Sequence, residues 1–476
     1  MDILATQSGR SPRSHKRSWI AVGGAVCVGA GLAAAWPIQA VAIVVVTSAF
    51  AFACSPRRLL YVLVALALYT PFEEFALKWA PEQLYFAARF GHYVFVLAIF
   101  VVLLGQRFLE GRPLVVWSPV HGPLLAFIAV SVVAAALGEA PLSGAAYAYQ
   151  PLLRFVFVAF IPLLYVEIHE RDIKWIAVLL LSAAFGQACI ALGQYVVGPA
   201  ASSFLAPAGG EFGELTVGGF TQEIYEEGGR IFGTLGRYNT LGAFLGIHLL
   251  LAFPFALRRA PTAAPLAAWC VPMAACVVLA GARSPLLGLV AGAWVILWLR
   301  KSALSALLPI GGTALLFLVL PWVAQSAQYI GIEGSGALQR LIEPFSPQYR
   351  EVSTEFGRLY FIVEFPFDMM RLGFKEFLFG FGPGSLGLRA IELFDLHALD
   401  AVGVRGEEQR LITDVNWAYL FGQAGLLGFG AFAWIVWRLW RTAVDVYRTA
   451  QDESVRLLAL GTSGAIVMIS IVALFE

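Results

Sequence analysis

The sequence predicts an all-α, polytopic integral membrane protein with about 12–13 transmembrane helices. Three observations lead there. Hydrophobic residues make up 59% of the 476-residue chain and charged residues 13%, roughly half the ~25% charged fraction of an average soluble protein. Apolar runs near the length that a bilayer demands, about 20 residues per helix, recur from end to end. Lysines and arginines gather in alternate short loops, the signature of loops that stay on the cytoplasmic side.

Taken in order, the spans fall near 19–35, 38–54, 58–72, 88–105, 119–137, 150–167, 173–197, 238–257, 264–281, 284–300, 303–322, 414–437 and 455–475. The opening stretch, MDILATQSGRSPRSHKRSWI, is polar and basic. It reads as a cytoplasmic tail (1–18) ahead of a retained first helix, since the next apolar run follows almost at once across Trp36-Pro37 with no convincing cleavage site. The remainder divides into a bundle of about eleven spans (19–322, with an outer loop at 198–237), a large periplasmic loop (323–413) and C-terminal transmembrane helices (414–476).

With the tail inside, alternation puts Arg57-Arg58, Arg107 to Arg112, Arg171 to Lys174, Arg258-Arg259, Arg300-Lys301 and Arg438 to Arg456 on one side. Every short loop rich in positive charge is then cytoplasmic. The same alternation places Arg230, Arg237 and Arg283 on the outer face, where the positive-inside rule disfavours them. At a helix end an arginine can snorkel to water. At the centre of a span it would cost roughly 2.5–3.5 kcal/mol on insertion scales.

Within the large loop, FGRLYFIVEFPFDMMRLGFKEFLFG spaces Phe361, Phe365, Met369, Leu372 and Phe377 at helical intervals, with charged residues between. This predicts an amphipathic helix lying in the membrane interface, with a break at Pro366. The stretch Gly380-Phe-Gly-Pro-Gly384 must be a turn. Asp400 to Asp414 is charged and reads as mobile.

The composition also excludes several classes. A net charge of +1 and the lack of a basic stripe argue against nucleic acid. The five cysteines lie in apolar spans without metal spacing and read as small core residues. With no Asp-x-Asp and no His-x-x-x-His, neither a metal nor a cofactor is expected.

Several motifs occur in a telling order. Arg230-x-x-Gly233-Thr234 and Tyr238-Asn239 head one span, and Ala282-Arg283-Ser284 fills the next outer turn. Arg358, Pro366 and the Gly380–Gly384 turn follow in the large loop. Asn416-Trp-Ala-Tyr-Leu420 and Gly425-Leu-Leu-Gly428 then open a late span. Over about residues 225–440 this set resembles the O-antigen ligase and polymerase superfamily, bacterial inner-membrane glycosyltransferases of the GT-C kind. The resemblance implies a donor glycan on undecaprenyl pyrophosphate, a glycan or lipid acceptor, membrane lipids around the bundle, other polysaccharide-assembly proteins as partners, and an active site facing the periplasm. Ligases of that superfamily carry a histidine just before the late asparagine. Here the position is Val415, with Asp414 one residue earlier, which tilts the reading from ligation toward polymerisation of O-antigen or exopolysaccharide.

The chemistry so implied needs a cation for the departing pyrophosphate and a base for the acceptor hydroxyl. Guanidinium is always charged, planar and able to hold two phosphate oxygens. Arg283 is the first candidate, followed by Arg230 and Arg358. Asp414 is the candidate base, and Asn239 and Asn416 are candidate substrate-binding residues. Each has a plainer reading. Arg283 could snorkel to headgroups, Arg230 could pair with Glu226 or Glu227, and Arg358 could belong to the polar face of the interface helix. Asp414 could be a helix N-cap, and both asparagines could cap or cross-link helices. Two other functions compete: a flippase or transporter for the same lipid, and a non-catalytic component of envelope polysaccharide assembly. A flippase needs charges lining a path through the bilayer, and the spans are nearly free of charge.

Overall fold

The computed structural model describes residues 56–79, 107–114, 117–141, 168–207, 210–212, 215–217, 230–258, 263–302, 358–387, 394–405, 411–413 and 415–475, with isolated positions elsewhere. The expected spans at 19–35, 38–54, 150–167 and 303–322, most of 88–105, and the candidate base Asp414 lie outside the described residues.

The chain divides into two compact units. The first comprises residues 1–67, 80–118 and 150–168. Among its described residues, α1 (Pro56–Tyr69) begins at a proline. Further on, Arg107 folds back to donate to the Pro113 carbonyl at 2.7 Å. The second unit, residues 68–79, 119–149 and 169–476, holds the remaining elements.

Among the described residues, five helical stretches are long and apolar enough to cross a membrane: Leu60–Leu77, Glu170–Val197, Tyr238–Ala256, Asn416–Thr449 and Glu453–Leu474. Three shorter apolar helices join them, at His121–Leu137, Leu266–Leu279 and Arg283–Leu299. Each coincides with an expected span, so the described part is that of an all-α membrane protein. The span expected at 58–72 runs further. α1 passes through a 3-10 turn at Thr70–Phe72 into α2 (Glu73–Leu77). Pro71, at the start of that turn, has no N–H to lose there and does not end the helix.

Next come α3 (His121–Leu137) and α4 (Glu170–Val197). Asp172 secures the start of α4 by accepting the His169 backbone N–H at 3.0 Å. The loop 198–237 contains, among its described residues, α5 (Pro199–Leu205) and a small antiparallel hairpin, β1 (Gly210–Phe212) with β2 (Leu215–Val217), in register Gly210 to Val217. The all-α expectation did not include this hairpin. Its strands are too short and too polar in setting to leave a period-2 signal.

The core of the unit is built from α6 (Tyr238–Ala256), α7 (Ala263–Leu279), α8 (Arg283–Leu299), α12 (Asn416–Thr449) and α13 (Glu453–Phe475). Between α8 and α12 lie three short helices, α9 (Arg358–Val363), α10 (Phe365–Leu372) and α11 (Phe374–Phe379). Lipid offers no hydrophobic drive for helices to associate, so close packing must supply it. Here glycines do so: a methyl group added to Gly292 of α8 would lie 2.6 Å from the Gly464 carbonyl oxygen of α13. Met468 of α13, fully buried, lies against both Gly246 and Gly288.

The bundle has two distinct ends. At one, Lys174 pairs with Asp452 at 2.6 Å and Arg258 with Glu453 at 2.5 Å. These contacts tie the start of α4 and the end of α6 to the turn between α12 and α13. This basic end also carries Arg300 and Lys301. The stacked pair Trp294 and Trp298 sits beside it, with Trp437 and Trp440 near the matching point of α12. That is the placement of an interfacial aromatic belt. α12 has 34 residues but is interrupted at Gly425, and it runs on to Thr449, beyond the span end expected at 437.

The Asp452 contact has a pH consequence. Its carboxyl is held below the ordinary carboxylate value, first by the hydrogen bond from Lys174 and then by backbone N–H groups, Val455 foremost. The unfolded chain thus takes up this proton more readily than the folded one. The contribution to stability is full above the unfolded value of ~3.9 and disappears as pH falls through the lower folded value. Thermal unfolding in detergent, followed between about pH 2 and pH 6, should show an acid loss that Asp452→Asn reduces. An unchanged pH profile in the variant would dismiss the contact as a surface ornament.

Candidate functional site

The opposite end gathers the candidate arginines. α6 and α8 both begin there and meet closely, since a methyl group added to Gly242 would lie 3.1 Å from the Pro285 ring. Arg237 is the N-cap of α6, with extended backbone, and Arg283 is the first residue of α8. A helix N-terminus already carries about half a positive charge. A cation placed on it is unfavourable by roughly 0.3–1 kcal/mol, and here two adjacent helix starts each bear one. Arg230 adds a third: its guanidinium carbon lies 3.8 Å from the ring centroid of Tyr238, the first residue of α6. Guanidinium groups at helix starts are donors of the kind that hold an anion. Sequence reasoning named Arg283 and Arg230 but left out Arg237, because Tyr238-Asn239 marked it as a plain helix-start residue, and the N-cap of α6 is indeed the position it holds.

The segment leading into α6 has no regular structure and is nonetheless buried, with Ile231 1% and Phe232 3% exposed. Two glutamines of α4 hold it. Gln194 accepts the N–H groups of Phe232 at 3.0 Å and Gly233 at 2.9 Å through one oxygen. Gln187 donates to the Thr234 hydroxyl at 2.5 Å and accepts the Thr234 N–H at 3.3 Å. The Thr234 hydroxyl donates in turn to the Pro71 carbonyl at 2.7 Å. Both glutamines were missed in the sequence. They stand seven apart on one face of α4, a spacing that marks a shared face but not its neighbour.

Asn239 stands one residue after Tyr238. Its side-chain oxygen is buried and accepts no hydrogen bond from any described residue. It does not cap α6, because Arg237 occupies the cap position without a side-chain hydrogen bond. Asn416 is exposed and is the first residue of α12, whose N-cap is the fully buried Val415. The capping role considered for both asparagines is therefore not what they do.

Arg358 opens α9 at the same end but in a different cluster. Phe361, Phe365 and Met369 are buried with Val415, Ala418 and Phe421 of α12 and its approach. The amphipathic helix expected to break at Pro366 is three short ones, interrupted at Glu364, just before that proline, and at Gly373. The face expected to meet the membrane interface packs instead on protein. A second apolar row (Leu359, Val363, Phe367, Met370 and Phe374) is the exposed one. Tyr360 lies beneath it, its hydroxyl donating to Asp368 at 3.0 Å while Arg371 donates to the other oxygen at 2.7 Å. Burial, then that bond, pushes the Tyr360 phenol well above its ordinary value, so it stays protonated.

The turn after α11 interlocks with α12. Helix α12 breaks at Gly425, with φ 63° and ψ −168°. Carbonyls freed by the break are taken by the turn: the Phe381 N–H donates to Gly422 at 2.8 Å and the Gly382 N–H to Gln423 at 3.1 Å. The two glycine motifs singled out in the sequence thus form one structural joint, with Gly138 at the end of α3 touching Gly382. Among the described residues, no group of three or more His, Cys, Asp and Glu side chains is arranged to hold a metal ion.

The fold and these contacts define an all-α, multi-span membrane protein with three arginines at the starts of two adjoining helices at one end of its bundle. No protein-family model matches the chain, and no curated protein matches it in sequence.

Proposed function

We propose that the protein is a bacterial inner-membrane glycosyltransferase that moves or polymerises a glycan carried on undecaprenyl pyrophosphate at the periplasmic face. The observation that carries this reading is the convergence of Arg230, Arg237 and Arg283 on two adjoining helix N-termini. A sugar on a lipid diphosphate already has a good leaving group, so catalysis consists largely of stabilising the charge that leaves. Preorganised cations and helix dipoles in a water-poor site do this well. Asn239, with its unsatisfied buried oxygen, can accept a hydrogen bond from a sugar hydroxyl. Arg358 serves the same donor from α9. The acceptor's proton goes to a base, for which Asp414 is the candidate. The basic end, with its tryptophan belt, faces the cytoplasm in this reading.

A carrier for the same lipid would use a broken helix to line its path, and α12 is broken. The backbone of α11 and the following turn fills that break: a methyl group on Gly425 would lie 2.2–2.3 Å from backbone atoms of Leu378 and Phe379. This favours the enzyme over the carrier.

The test uses purified protein in lipid with a defined lipid-linked repeat unit. Longer lipid-linked chains are the expected product. Transfer to lipid A core would redirect the reading to ligation, and movement of unchanged lipid across the vesicle would replace it by transport. Turnover should survive EDTA. Loss restored by magnesium or manganese would remove the arginines from their assigned role.

A further inference from the structure

The two buried glutamines of α4 have a role that packing alone does not explain. Polar side chains inside a membrane bundle are rare and mark function more often than stability. Gln187 is 0% and Gln194 2% exposed. Both side-chain oxygens and the Gln187 amide nitrogen bond one short stretch, Phe232 to Thr234, and that nitrogen also reaches the Pro71 carbonyl at 3.4 Å. That stretch carries Gly233 at φ 59°, a left-handed conformation; a methyl group there would meet the Gln187 oxygen at 3.0 Å. Arg230 emerges two residues before it, and Tyr238, on whose ring Arg230 stacks, begins the helix four residues after it. We infer that Gln187 and Gln194 are positioning residues: they pin the Phe232–Thr234 backbone inside the bundle so that Arg230 is held over Tyr238, in register with Arg283, as a ready anion clamp. This rests on the reading of the three arginines as a diphosphate site and adds to it the element that sets its geometry.

The hydrogen-bond roles choose the variants. Gln194 acts on the segment only as an acceptor, so Gln194→Glu keeps both contacts. Gln194→Leu keeps the size and loses them, leaving two buried N–H groups without a partner. Its amide also donates to the Ser202 hydroxyl at 3.2 Å; toward a carboxylate Ser202 would donate instead, giving up the bond it now makes to the Gly198 carbonyl at 3.3 Å.

Two measurements on the full chain in nanodiscs decide the matter. Hydrogen exchange of the peptide spanning 230–237 should be slow in the wild type and in Gln194→Glu, and fast in Gln194→Leu, with the helices unchanged. Binding of inorganic pyrophosphate should weaken by about tenfold or more in Gln194→Leu, a factor worth ~1.4 kcal/mol, and recover in Gln194→Glu. If Gln194→Leu loosens the segment but binds pyrophosphate as the wild type does, the glutamines are structural and the inference fails alone. If exchange at 230–237 is unchanged in Gln194→Leu, the pinning itself is refuted. Wild-type protein that does not bind pyrophosphate would refute the diphosphate site, and with it the proposed function.

Discussion

Replacing Arg283 with alanine should lower glycan transfer by at least about 10²–10³-fold, the range seen when one preorganised donor to a developing anion is removed. The protein should remain folded in the membrane. The reason lies in where the arginine sits. As the first residue of α8 it places a cation on the positive end of a helix, where its charge opposes the dipole. A residue kept for stability would lose activity only in proportion to the loss of folded protein when truncated. Arg283→Ala should lose activity far out of proportion to any change in unfolding temperature. Arg283→Lys should recover only part of the rate, because an ammonium keeps the charge but not the planar fork that grips two oxygens. The check is initial rate against unfolding temperature for the three proteins. Full transfer by the alanine variant would take Arg283 out of the site.

The largest effect on folding is expected at Gly425. Its backbone angles belong to a region that is essentially glycine-only, where another residue is strained by about 1–3 kcal/mol. A methyl group there would also meet main-chain atoms of Leu378 and Phe379 at 2.2–2.3 Å. Backbone cannot swing aside as a side chain can, so the clash adds to the strain. Gly425→Ala should therefore force apart the joint between α11 and α12 and leave little folded protein after mild detergent extraction. Gly430, five residues on in the same helix, has open space where a methyl would go. Gly430→Ala should be neutral or gain up to ~1 kcal/mol from helix propensity. Size-exclusion recovery of the two variants side by side would reject the account if they behaved alike.

Much of this architecture was legible beforehand because lipid simplifies the code. A span must be apolar, long enough and flanked by loops, so α3, α4, α6, α7, α8 and α13 could be placed within a few residues of their observed ends, while α12 was placed at its start but runs on to Thr449, well past the expected end at 437. Alternation of Lys and Arg even sorted their termini, and the pairs Lys174–Asp452 and Arg258–Glu453 join loops assigned to one side. Residue identity was less informative where contacts are non-local. Phe361, Phe365 and Met369 were read as a membrane-facing stripe because periodicity reports that a face is apolar, not what it touches; α12 claims that face. The hairpin at 210–217 was too short to register. Gln187 and Gln194 looked like ordinary polar interruptions of a span, since nothing in α4 announces that an irregular segment forty residues away will need their oxygens. The glycines of 380–384 were recognised as a turn, but only the three-dimensional structure pairs them with the break at Gly425.

The contact of Gly292 with Gly464, and of Met468 with Gly246 and Gly288, has a mechanical corollary. Helices keyed together main chain to main chain cannot slide past one another without first separating. α6, α8 and α13 therefore behave as a rigid chassis. If the proposed lipid-linked donor binds, whatever gives way to admit it must be sought in the segments mounted on this chassis, not in a rocking of the bundle itself.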